Sequence, residues 1–139
     1  MIELDTLALT SGEVTPGAWR VSARGELDLS TQLKMATCVG DVLAVQPLHL
    51  VLDLTGLRFC AVAGLRLLIE TRDRCAALHT RFDVLARRDV SRTLRIVGLH
   101  DLPVTEVPEG KSVSDYSFSP SPNPVTSNPF ASAARLSSP

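Results

Sequence analysis

The chain has 139 residues, enough for one domain with a core and too few for two comfortable ones. Its apolar fraction of 45% is that of a globular protein, and a net charge of −1 gives no bulk field favouring nucleic acid or an anionic membrane. No apolar run approaches the roughly 18 residues of a membrane span and no signal-type segment opens the chain, so the expected location is cytoplasmic.

Residues 3–9 alternate loosely and are expected as a first strand, with Ile2, Leu4, Leu7 and Leu9 inward. Thr15-Pro16-Gly17 is a turn, and 18–24 alternate better: Trp19, Val21 and Ala23 face one way, Arg20, Ser22 and Arg24 the other. The two strands should form a hairpin. Ser30 or Thr31 can cap a first helix that reaches about Val45 and stops at Pro47. Its expected inner stripe is Leu33, Ala36, Gly40 and Leu43, widened by Met35, Val39 and Val42. Residues 48–54 are an almost unbroken apolar run, right for a strand buried on both faces. A turn is expected at Thr55-Gly56-Leu57, then a short loop, then a second helix over 63–78 with Gly64, Leu67, Leu68, Thr71, Cys75 and Leu78 inward. Residues 81–86 form a strand. Asp89 caps a third helix with Val90, Leu94 and Val97 inward and Gly98 as its stop, and 103–107 add a last short strand.

This order, β-β-α-β-α-β-α-β, predicts an α/β fold. Helical crossovers make parallel pairs with right-handed connections, hence a mixed sheet with helices mainly on one face. From 109 onward the chain changes character. Five of the nine prolines and many serines fall there, so a domain over 1–108 and a disordered tail over 109–139 are expected.

Little in the sequence can carry catalysis. His49, His79 and His100 are scattered, and no metal-type spacing, phosphate loop or nucleophile elbow is present, so neither an enzyme nor a cofactor is expected. Asp53 is either an acid in a buried strand or, more simply, a carboxylate bonded to backbone N–H groups. Arg87, Arg88, Arg92 and Arg95 crowd the third helix; with one Trp and one Tyr for base stacking, a solvated face outweighs nucleic-acid binding. Cys38, Cys60 and Cys75 read as buried thiols, Cys60 and Cys75 being roughly 15–20 Å apart along the second helix at 1.5 Å per residue.

The stretch 48–70 remains the most informative. A strand leads through a short loop to a helix N-terminus, whose positive end and free N–H groups favour recognition. Together with Gly25-Glu26-Leu27-Asp28 before the first helix, and with 89–102 around Gly98-Leu99, it resembles the STAS domain of anti-sigma factor antagonists over residues 1–108. The resemblance implies a protein-interaction module that binds an anti-sigma factor with a serine-kinase fold and frees a sigma factor. Such relatives carry an Asp-Ser-Ser-Gly loop whose first serine the partner phosphorylates. Here Ala61, Val62 and Ala63 stand where the aspartate and two serines would be, and Gly64 matches the glycine. The phosphoacceptor is therefore lost at Val62. Glu26, Asp28 and the run Cys60, Ala61, Val62, Ala63, Gly64, Leu65 and Arg66 are the expected partner surface. Two questions stay open here: whether Val62 meets a partner or tucks into the core, and whether Asp28 is a contact or a turn residue. A scaffold or small-molecule-sensing STAS domain is the alternative function, and the sequence leaves the oligomeric state undetermined.

Overall fold

The computed structural model describes residues 7–99 and 101–110. Strand β1 (Leu7–Thr15) pairs antiparallel with β2 (Ala18–Leu27) through a turn at Pro16-Gly17, where Gly17 takes a φ of +82°. Helix α1 (Gln32–Leu43) crosses to β3 (His49–Cys60), α2 (Val62–Ala77) to β4 (Arg81–Ala86), and α3 (Arg88–Ile96) to β5 (Val104–Glu106). The sheet order is β1-β2-β3-β4-β5, with all pairs after the hairpin parallel. Each crossover steps one strand in the same direction. Right-handed connections then put every helix on one face. Buried residues of all three helices accordingly share one apolar cluster with Leu50, Leu52, Leu54, Val84 and Ala86. This is the α/β architecture expected from the element order.

Three expectations needed correction. The first strand runs from Leu7 to Thr15, well past 9, because an edge strand needs only a hairpin partner and tolerates the polar run Thr10-Ser11-Gly12-Glu13. Residues 3–6 lie outside the described residues. No turn breaks 55–57: β3 continues to Cys60 and absorbs two register shifts against β2. Asp53 fixes the first bulge, its Oδ1 accepting from the Thr55 N–H at 3.0 Å and the Thr55 hydroxyl at 2.6 Å. Gly56 permits the close approach, since a Cβ there would lie 2.9 Å from Arg24 Cγ and 3.1 Å from the Ala23 carbonyl oxygen. The third correction concerns helix faces. The inner stripe of α1 is Met35, Val39, Val42 and Leu43, and Leu33 points to water; Leu78 and Val97 are also exposed. Both stripes satisfy the 3.6-residue period, so only packing chooses between them.

Among the described residues no helix is long and apolar enough to cross a membrane. The tail from 111 and His100 lie outside the described residues.

Candidate functional site

The parallel strands end together at one pole of the sheet. There Leu27 pairs with Cys60, and the Ala61 N–H donates to the Leu27 carbonyl at 2.8 Å. The loop from β2 to α1 and the entry to α2 are thereby held side by side.

The first loop is built on Asp28. Its Oδ1 accepts from the Ser30 hydroxyl at 2.7 Å, the Ser30 N–H at 3.0 Å and the Thr31 N–H at 3.1 Å. The Ser30 hydroxyl, joined by these other donors, holds the Asp28 carboxyl below the usual aspartate range. Asp28 therefore has a structural duty as a turn residue. Thr31 occupies the α1 cap position, but its hydroxyl turns back, accepting from the Asp28 N–H and donating to the Glu26 carbonyl, each at 2.9 Å. Glu26 points outward, with a carboxylate oxygen 3.9 Å from Arg58, an exposed pair of small energetic weight.

The second loop carries no charge. Ala61 caps α2 in extended conformation with no side-chain hydrogen bond, and the first turn holds no acid, so the positive helix end is unneutralised by local side chains. Gly64 is buried against β2: a Cβ there would meet Leu27 Cγ and Cδ2 at 2.7 Å and Cys60 Sγ at 3.0 Å. Leu65 is buried too, while Arg66 is exposed. Gly64 and Leu65 thus set the position of the loop from beneath. Burial pushes the half-buried Cys60 thiol up to about 11, so it is protonated and unreactive near neutrality. Cys75 is buried with the same upward shift; Cys38, like Cys60, is half-buried rather than buried as expected.

Val62 is 71% exposed, which removes the core-staple reading. Leu29 in the first loop, Leu33 in the first turn of α1 and Phe59 near the end of β3 are also exposed, at 75%, 74% and 53%, and were not among the expected contacts. The signal available in the sequence was Leu29, an apolar residue between the two polar turn residues Asp28 and Ser30.

Other candidates take structural roles. Asp53 is nearly buried and serves Thr55 and, at 3.4 Å, the Ser22 hydroxyl. Arg87 donates to the Val107 and Pro108 carbonyls, and Arg95 lies 3.3 Å from Glu106, so part of the basic run works inside the fold. Among the described residues no three His, Cys, Asp or Glu groups converge as a metal site.

Comparison with known proteins agrees with this frame. The profile of the family described as "Mlab, STAS domain" matches residues 13–106. The anti-sigma-F factor antagonist RsfB of Mycobacterium tuberculosis is 34% identical over 80 residues, 57% of this chain and 65% of that protein. The chain thus spans just under two thirds of that relative's length. Among solved structures, an anti-sigma factor antagonist from Mycobacterium paratuberculosis superposes with a TM-score of 0.69 at 26% identity, covering 83% of this chain and 94% of its own. The phosphorylated Bacillus cell fate determinant SpoIIAA shares the fold, with a TM-score of 0.60 at 15% identity over 78% and 98% of the two chains. By a profile that spans every strand-and-helix crossover described above, the chain belongs to the STAS domain family.

Proposed function

We propose that this protein is an anti-sigma factor antagonist that binds an anti-sigma factor of serine-kinase fold and is blind to phosphorylation at the usual loop position. The observation that carries the reading is Val62: a solvent-facing side chain at the start of α2, in the place of the family's phosphoacceptor, with no hydroxyl to modify. The contact surface comprises Glu26 and Asp28 at the end of β2, Cys60 to Ala63 and Arg66 at the entry to α2, and the exposed apolar residues Leu29, Leu33 and Phe59. Gly64 and Leu65 support it from the core. A cluster of exposed apolar groups with a polar rim is the usual anatomy of a protein contact. The similarity to named antagonists supports the same reading.

The test is binding of the purified protein to kinase-type anti-sigma factors with ATP present, with its mass read in the same sample. A stable complex without mass gain is expected. The Val62→Ser variant should gain a phosphate in that mixture, as the first serine does in related loops. A phosphate on the unaltered protein would sink the phosphorylation-blind reading, and failure to bind any such partner would sink the antagonist reading.

A further inference from the structure

The five-stranded sheet has two edges, and they are finished differently. β5 is three residues long, and Arg87 donates to the Val107 and Pro108 carbonyls just beyond it. β1 is nine residues long and among the described residues pairs only with β2. Its register with β2 is regular from Leu7 to Glu13; the one irregularity falls at Val14, next to the hairpin turn. Edge strands are commonly guarded by lysine, proline, a bulge or shortness. The stretch Leu7–Glu13 holds neither lysine nor proline, and the bulge lies past its end. Thr10 on one face and Ser11 and Glu13 on the other are all exposed.

An edge strand presents a row of N–H and C=O groups to another strand. We propose that a second copy of this chain supplies that strand, so that two sheets join edge to edge through β1. Charge placement on the edge favours the self-pairing. Antiparallel pairing about a twofold axis at Thr10, the middle of the regular stretch, sets Thr10 opposite Thr10, Leu9 opposite Ser11 and Ala8 opposite Gly12. It also sets Glu13, the one charged residue of the stretch, opposite Leu7 of the other copy. Lys34 of α1 is already at that point, its Nζ donating to the Leu7 carbonyl at 2.6 Å. Leu7 and Glu13 share the face that carries α1, since Leu7 lies in the helix-side cluster and Glu13 pairs with Trp19 beside it. Opposed Cα atoms lie about 4.5–5.5 Å apart, which brings a Glu13 carboxylate within reach of the other copy's Lys34. Oε2 of Glu13 accepts from the Gly17 N–H at 2.9 Å, and Oε1 is the oxygen offered across the axis. Within one copy Leu7 and Glu13 stand roughly 20 Å apart along the strand, so the pair forms only between copies, and it forms twice. None of this depends on the antagonist reading.

One strand pair is a small interface, so a dissociation constant on the order of 10 µM is expected for the full chain in sedimentation velocity. Isotope-filtered NOEs in a mixture of labelled and unlabelled chains should join Thr10 to Thr10 and Leu9 to Ser11. Thr10→Lys sets two ammonium groups opposite each other, and Thr10→Glu two carboxylates; each alone should weaken association about fivefold. An equimolar mixture of the two variants should regain it. Glu13→Lys should also weaken association, and Glu13→Lys combined with Lys34→Glu in one chain should restore it. A chain that stays monomeric up to about a hundred times the expected constant would overturn the proposal. So would association that Thr10→Lys leaves unchanged, or intermolecular NOEs from another element. NOEs from Thr10 and Ser11 to residues 1–6 or 111–139 of the same copy would overturn it as well, since the chain would then cover its own edge. Should a variant fail to fold, the NOEs of the unaltered chain decide.

Discussion

Replacing Gly64 by alanine tests how the α2 entry is positioned. The added Cβ would lie 2.7 Å from both Leu27 Cγ and Cδ2 and 3.0 Å from Cys60 Sγ. Leu27 is wholly buried, so it cannot swing into water. Overpacking of this kind costs about 1–3 kcal/mol. Alanine is a better helix former than glycine by up to about 1 kcal/mol, which offsets part of the cost. The net expectation is a loss of about 0.5–2 kcal/mol, or a melting point lower by roughly 4–8 °C per kcal/mol. Urea unfolding should show a lower midpoint with an unchanged slope. The coupling to Leu27 gives the sharper readout. Leu27→Ala alone should cost about 2–5 kcal/mol. Combined with Gly64→Ala it should cost less, because the smaller side chain makes room for the new methyl. Additive effects, or a neutral Gly64→Ala, would refute the claim that the start of α2 is pressed onto β2. Partner affinity should fall in Gly64→Ala as well, since Val62 rides on the same turn.

Val62→Glu should leave stability within about 0.5 kcal/mol, the side chain being exposed, yet weaken anti-sigma binding at least about tenfold; a folded variant with unchanged affinity would remove this residue from the contact. Leu29→Asp and Leu33→Asp should behave alike, with calorimetry of the complex as the assay and normal thermal unfolding as the control. For Asp28→Asn the sign follows from the lowered carboxyl of Asp28. A depressed folded-state pKa adds stability above the ordinary aspartate value of about 3.9. The gap between the native protein and the variant should therefore be full near neutral pH and shrink as pH falls below about 4; a gap constant down to pH 2 would contradict the turn role. Cys60, with its thiol near 11, should react with an alkylating reagent at pH 8 about a hundredfold more slowly than an open cysteine, and fast single-site labelling there would refute its burial.

The sequence by itself determined the element order, the parallel crossovers and the family, because apolar periodicity and the Glu26-Leu27-Asp28 and 48–70 stretches are local signals. Two of its expectations failed for one reason. The break at Thr55-Gly56-Leu57 and the Leu33 stripe both satisfied local rules, but the Asp53 bulge and the Met35 face won through contacts with other strands and helices. The proposed loss of the phosphoacceptor rests on the identity of Val62, which the sequence shows, whereas the exposure of Val62 could not be read there. Only the tertiary structure decided that Gly64 and Leu65 are buried while the side chains of Val62, Leu29, Leu33 and Phe59 face solvent. The two loops are separated by some thirty residues of chain and meet only because β2 and β3 pair in parallel with Leu27 beside Cys60. A surface made of such a meeting is a property of strand register, which no local sequence pattern encodes.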